Sequence, residues 1–360
     1  MTRKLVTVKK IENLRSIPDA DMIEAATVGG WQVVVKKGQF QIGDPCIFFE
    51  IDSFLPIQPR YEFLRKGCYK NIENLGEGFR LRTIKLKKQI SQGLVMSLDD
   101  LGIWKESDHV WKYSNEIGNT YYISPTLDED LSDILKVVKY EPPLPANLVG
   151  KARGNFPSFV PKTDQERIQN LINDPAQMAE ILGQQFEITL KLDGTSATYI
   201  KTIEGELHAC SRNLDLKLED ESSLYVKHAK ETGILDLIPA GYAIQGELYG
   251  NGIQGNHDKL STVRFYVFDI FNITTQEYLS PIKREMFFNN FLGGKAGISH
   301  VPVLAVNETI PMDTGLEAFL ALADATKSLN NDIAEGIVFK RIDGKYSFKA
   351  ISNKFLLGEK

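Results

Sequence analysis

The sequence predicts an α+β protein in two parts, the first made of short strands and the second mixing helices with mainly antiparallel strands. Two patterns carry this: dense turn punctuation through roughly the first 120 residues, and alternating strand-like and helix-like segments after a proline-rich interruption. At 360 residues the chain also exceeds the usual size of one hydrophobic core, so two domains are expected.

The first part opens its clear pattern at residues 31–36 (Trp-Gln-Val-Val-Val-Lys), turns at Gly38 and at Gly43-Asp44, and continues through 46–52 (Cys-Ile-Phe-Phe-Glu-Ile-Asp). Short strands at this spacing suggest a small barrel or a sandwich. Glu141-Pro142-Pro143-Leu144-Pro145 then breaks the pattern, because proline stiffens a linker and cannot continue a central strand. The expected division is a first domain over 1–140, a linker over 141–162 and a second domain over 163–360. Thr163 or Asp164 is expected to cap a helix starting near Gln165.

Strand patterning in the second part begins at 186–192, where Phe186, Ile188, Leu190 and Leu192 alternate onto one face. The other face carries Glu187, Thr189, Lys191 and Asp193 and is expected to present charge. A hairpin follows with Glu204-Gly205 at its turn, returning to Ser211-Arg212-Asn213. After a helix over about 222–237 come strands at 243–249, 264–270, 335–340 and 346–350, with helices near 281–293 and 314–329.

Composition narrows the class of function. A net charge of −5 gives no overall basic footprint, so any polyanion site must be local. Arg80, Arg82, Lys85, Lys87 and Lys88 form one such patch and Lys36 with Lys37 another, although edge lysines also keep sheets from pairing. The three cysteines, Cys46, Cys68 and Cys210, are odd in number and widely spaced, unlike a disulfide framework or a zinc site. No apolar run reaches the length of a membrane helix, and a cytoplasmic protein is expected. The five histidines, at 109, 208, 228, 257 and 300, show no ligand spacing and are assigned no chemistry.

Lys191, two residues before an Asp-Gly turn at a strand end, is the candidate nucleophile. An ammonium attacks only once deprotonated, which burial beside cations or a metal promotes.

Six stretches, in order, resemble the motifs of the covalent nucleotidyltransferase superfamily of polynucleotide ligases and capping enzymes. They are Lys191-Leu-Asp193-Gly194, Ser211-Arg212-Asn213, Gln245-Gly246-Glu247, Phe265-Tyr-Val-Phe268-Asp269, Glu335-Gly336-Ile-Val338 and Phe348-Lys349-Ala350. Within it the chain is most similar to ATP-dependent RNA ligases of the nick-sealing branch, which carry an OB-type module before the catalytic domain. The stretch from Ile17-Pro18-Asp19 through Gly43-Asp44 to Asp52-Ser53 resembles that module, which implies an OB-like small β-barrel ahead of a nucleotidyltransferase domain of antiparallel sheets and helices. Only about ten residues follow Lys349, whereas DNA ligases and capping enzymes place their OB domain there.

The resemblance implies that Lys191 takes AMP from ATP, with Lys349 and Asp193 completing the catalytic set. Glu247 and Glu335 offer hard oxygen ligands to Mg²⁺ or Mn²⁺. By the same resemblance Phe268 would stack on adenine, Glu247 would contact ribose as well, and Lys162, Arg167 and Arg212 are nucleotide or phosphate contacts. Related ligases often carry a second lysine two residues after the first in the last motif; here Ile351 stands there, and Lys354 is the nearest substitute. The implied partners are ATP and a nicked duplex with an RNA 3′-OH strand, held by the first domain through its basic strands and aromatics such as Phe79 or Tyr69. No membrane or protein partner is implied. A GTP-dependent capping-type guanylyltransferase, a DNA ligase, and a nucleic-acid-binding protein with an inactive catalytic domain are the alternatives.

Overall fold

The computed structural model describes residues 3–72, 75–140 and 150–358. The chain divides into two compact units, Met1–Pro143 and Leu144–Lys360. Among the described residues, no helix is long and apolar enough to cross a membrane.

The first unit is built of short antiparallel strands. Val6–Lys10, Pro45–Phe49 and Leu94–Met96 form one sheet, and Asn13–Ser16, Ile23–Val28 and Trp31–Lys36 another. The second sheet alternates as its sequence does: Trp31, Val33 and Val35 are buried and Lys36 is exposed. Ile103–Ser107, Val110–Ser114 and Thr120–Ile123 make a third sheet. The strands therefore fall into several small sheets rather than one closed ladder. Phe79, expected at the surface, is fully buried, because its strand Gly76–Arg80 turns that position into the core with Leu55 and Tyr61. Tyr69 is half-buried and donates its hydroxyl to Glu77 at 2.8 Å.

The second unit holds two sheets. The larger has eight strands, among them Leu207–Ser211, Thr195–Lys201, Tyr242–Tyr249 and Arg264–Asn272, with Ile298–His300 added in parallel. The smaller runs in the order Glu166–Arg167, Ser347–Ile351, Gly336–Arg341, Gln185–Lys191, Val303–Thr309. The expected strands and the hairpin after Lys191 are all present.

Several elements differ from expectation. Of the stretch assigned as a linker, residues 141–149 lie outside the described residues, whereas Ala152–Asn155 is a strand paired with Leu214–Leu216 in the larger sheet. No helix starts at Gln165. Thr163 and Asp164 are engaged elsewhere, with Ser196 at 3.0 Å and with Arg212 at 2.8 Å, and Glu166–Arg167 pairs in parallel with Ser347–Ile351 before a short helix, Ile168–Leu171. The helix expected over 222–237 breaks into Leu224–Thr232 and Ile234–Leu237 at Gly233, whose φ of +65° ends the first segment in a left-handed cap.

The nucleophile strand is not half-exposed. Phe186 and Ile188 join the core of the smaller sheet, and the opposite face is buried too, with Glu187 and Thr189 only 4% and 1% exposed. That face looks into the gap between the two sheets, where Arg284 is ion-paired to Glu187 and Lys340 to Asp269.

Candidate active site

The chain leaves the smaller sheet at Lys191 and enters the larger at Thr195, so residues 192–194 form the crossing between them. Gly194 is required there by close approach: a Cβ would lie 2.4 Å from the Leu248 carbonyl and 2.8 Å from Glu247 Cγ. Its backbone N–H donates to Glu247 Oε1 at 3.1 Å, which orients that carboxylate towards the crossing. Gly336 faces Lys191 across the neighbouring strand pair and has no room for a side chain either, with the Ala350 carbonyl 2.3 Å from where its Cβ would be. The motif glycines thus let three strands close in around the lysine.

Lys191 Nζ donates to Glu335 Oε2 at 2.6 Å. Burial acts to lower the ammonium, but Glu335, Glu247 and Asp193 outweigh it, and the net shift is upward. Of the two aids to deprotonation, neighbouring cations or a metal, the strongest charges acting on Lys191 itself are carboxylates, the surroundings a metal ion would compensate. Those carboxylates crowd one another in turn. Burial, with Glu335 and Asp193 adding to it against the pull of Lys191, pushes Glu247 up to about 8, and burial together with Glu335 raises Asp193.

Lys349 lies on Ser347–Ile351, directly across from Val338 and, on its other side, from Arg167. Its strand is flanked on both sides, so it is no solvated edge lysine. Burial and the charges of Lys191 and Arg167 bring its ammonium down to about 8. Three cations therefore adjoin a group of carboxylates, an arrangement suited to a polyphosphate neutralised partly by protein and partly by a divalent ion. Among the described residues no three carboxylate, histidine or cysteine side chains converge into a closed metal cage. Glu335 and Glu247 are nevertheless hard oxygen donors, which fits Mg²⁺ or Mn²⁺ sharing its shell with water and phosphate.

Phe268 sits half-buried on Arg264–Asn272 among Leu190, Leu192 and Tyr266, with the Lys340 ammonium 5.3 Å from its ring centre and donating to its carbonyl. Lys162 donates to Asn213 Oδ1 at 3.0 Å and Arg212 pairs with Asp164 at 2.8 Å, both at the surface. Such exposed contacts contribute about 0–1 kcal/mol, so either cation can trade its partner for a phosphate at little cost. The position of the second motif lysine is closed to charge: Ile351 is buried and paired with Gly336. Lys354 is exposed on the terminal helix Asn353–Leu357.

A profile described as an OB-fold domain matches residues 5–98, and one described as RNA ligase matches residues 184–351. Among solved structures the chain is similar to Naegleria gruberi RNA ligase: a lysine-to-alanine variant with ATP and Mn is 37% identical over 99% of each chain, with a TM-score of 0.80. The chain belongs to the RNA ligase family. The same Naegleria ligase with PPi is 38% identical over 99% of this chain and 98% of that one, with a TM-score of 0.78. A glutamate-to-alanine variant with AMP and Mn matches at 37% identity over 99% of each chain, with a TM-score of 0.80. No curated protein matches the ligase described here. The OB-fold match covers most of the first unit, so this RNA ligase has an N-terminal OB-type module followed by a nucleotidyltransferase domain.

Sequence reasoning passed over His257 and Asp258. His257 acts electrostatically on Asp193, and its Nε2–H donates to the Ile333 carbonyl at 2.7 Å. Neither residue lies in a motif, and only the folded loops bring them to the site.

Proposed function

We propose that this RNA ligase uses ATP with Mg²⁺ or Mn²⁺ to seal 3′-OH/5′-phosphate nicks in RNA-containing duplexes, through a lysine-AMP intermediate and in cytoplasmic RNA repair. The observation that carries the reading is Lys191 at 2.6 Å from Glu335, inside a ring of carboxylates with Lys349 and Arg167 alongside. ATP, AMP, PPi and Mn, the ligands of the Naegleria structures, are the donor, transferred group, leaving group and metal that such a reaction needs.

In the first step the neutral Lys191 amine attacks the α-phosphorus of ATP; a P–N bond forms, the bond to the β-phosphate oxygen breaks and pyrophosphate leaves. AMP next passes to a 5′-phosphate end, freeing the lysine. A 3′-hydroxyl then attacks that end, giving the phosphodiester and releasing AMP. Lys349 and Arg167 stabilise charge on the phosphoryl oxygens, Phe268 stacks on the base, and Asp193 orients the incoming hydroxyl. A divalent ion held by Glu335 and Glu247, directly or through its waters, supplies further charge neutralisation.

Arg212 and Lys162 are the phosphate contacts nearest the surface. In the first unit the exposed hairpin with Arg82, Lys85, Lys87 and Lys88 is the basic surface for flanking duplex.

The test is incubation with ATP or GTP labelled at the α-phosphate, followed by denaturing electrophoresis, with Lys191→Ala as control, and then sealing of nicks with an RNA or DNA 3′-OH strand. Label from ATP alone, lost in the variant, with preference for the RNA end, is the expected result. Label from GTP, or equal sealing of an all-DNA nick, would replace the reading by a capping or DNA-ligase activity.

A further inference from the structure

Glu247 and Glu335 lie on different sheets, on the strand Tyr242–Tyr249 and just before the strand Gly336–Arg341. Any metal they share requires a fixed spacing between two segments that are remote in sequence. A buried carboxylate between them meets that requirement. Asp258 is 2% exposed and belongs to the loop that follows the Glu247 strand. Its Oδ2 accepts from the Tyr249 hydroxyl at 2.8 Å and from Ser328 Oγ at 2.6 Å, and its Oδ1 accepts from the Asn330 backbone N–H at 2.7 Å. Tyr249 is two residues past Glu247 on the same strand face, and Ser328 and Asn330 lie in the loop that delivers Glu335.

The same two loops are joined elsewhere. Asn330 Nδ2 donates to the Asp258 carbonyl and Asn331 Nδ2 to the His257 carbonyl, each at 3.3 Å, and His257 Nε2 donates to Ile333 at 2.7 Å. Tyr249 and Ala334, both buried, share one apolar cluster with Leu190 and Leu192 beneath these bonds. Through its bonds to Tyr249, Ser328 and Asn330 the Asp258 carboxyl engages the Glu247 strand and the Glu335 loop at once.

We infer that Asp258 is a positioning residue for the ligase reaction, fixing the separation of the Glu247 and Glu335 carboxylates so that they bind one divalent cation. Its role is exerted through Tyr249, Ser328 and Asn330. The inference rests on the proposal that these two glutamates are metal ligands. Outer partners of metal ligands typically change metal affinity by 10–100-fold when lost. Here the link is one element further removed, so the lower end applies.

The test is a titration of the full chain with Mn²⁺ in the presence of α,β-methylene-ATP, followed by electron paramagnetic resonance of free Mn²⁺, with AMP affinity measured separately without metal. Asp258→Ala is expected to raise the half-saturating Mn²⁺ concentration about tenfold while leaving AMP affinity unchanged. Asp258→Asn should recover most of the loss, since its oxygen can still take the Asn330 N–H and its amide can donate to the two hydroxyl oxygens. Glu335→Gln serves as the reference. If Glu335→Gln leaves Mn²⁺ binding intact, the metal reading of the site fails and this inference falls with it. If Glu335→Gln weakens binding and folded Asp258→Ala does not, the positioning role alone is overturned. Should Asp258→Ala fail to fold, Ser328→Ala decides: a several-fold weakening supports the role, and wild-type Mn²⁺ binding overturns it.

Discussion

Lys191 Nζ donates to Glu335 Oε2 across 2.6 Å, so the amine proposed as nucleophile is held as an ammonium by the carboxylate proposed as metal ligand. Burial favours the neutral amine, but the three surrounding carboxylates outweigh it. Compensating the charge of Glu335 and Glu247 removes the largest interactions that raise Lys191, leaving only Asp193 against burial. The rate of lysine adenylylation should therefore rise with pH, and the midpoint should move to lower pH as Mn²⁺ increases. Single-turnover label transfer over a pH series at two Mn²⁺ concentrations checks this; a midpoint indifferent to Mn²⁺ would separate lysine activation from the metal.

Gly194→Ala places a methyl against the Leu248 carbonyl and Glu247. Overpacking of this kind costs about 1–3 kcal/mol of stability. The loss of adenylylation should exceed what that cost explains, because the N–H that orients Glu247 moves with the backbone. Denaturant midpoints and label transfer measured on one preparation distinguish the two effects.

Lys340→Met should destabilise the catalytic unit, by less than the ~3–5 kcal/mol of a fully unpaired buried charge, since Asp269 loses its ammonium partner at 2.7 Å and keeps only Arg284 at 3.8 Å. Adding Asp269→Asn should return much of that stability. Chemical denaturation of the single and double variants reads the difference, and additive losses would contradict it.

His300 accepts at Nε2 from Arg284 Nε at 3.0 Å while Nδ1–H donates to the Val301 carbonyl, a pattern that only the neutral ring satisfies. Burial and Arg284 hold it down at about 4 from an ordinary 6.5. The unfolded chain takes up this proton near 6.5 and the folded one only near 4, so stability is lost as pH falls through that window. The loss is on the order of 3 kcal/mol. His300→Gln should flatten this part of the stability curve, measured by urea unfolding between those pH values.

Removing the first unit should impair nick sealing much more than lysine adenylylation. The cores of the two units share no residue, and every proposed group for AMP transfer lies after residue 150. Equal loss of both activities in the shortened protein would show that the first unit is needed for folding instead.

The chemistry-bearing strands were legible because their periodicity and glycines are local properties: Lys191 sits at a strand end, and Gly194 and Gly336 mark places where backbones touch. What the sequence hid was non-local. Glu187 reads as a solvent-facing charge until Arg284, 97 residues away, is brought against it. Phe79 reads as an exposed aromatic until its strand is set over Leu55. Thr163 and Asp164 carry a capping signature, yet partners on distant strands claim both side chains. Asp258 has no motif at all, and its part emerges only once the loops after Glu247 and before Glu335 are seen together.

The chain passes between the two catalytic sheets at 156–165, at 192–194 and at 301–302, and the last two passages adjoin, since Leu190 N–H donates to the Pro302 carbonyl at 2.9 Å. Lys191 therefore lies where two crossings of the backbone tie the sheets together. About 13 Å away along the strand, the pairs Arg284 with Glu187 and Lys340 with Asp269 latch the far margin. With backbone crossings beside Lys191 and buried ion pairs, flanked by residues 161–165, at the other margin, the gap between the sheets is tied at both ends.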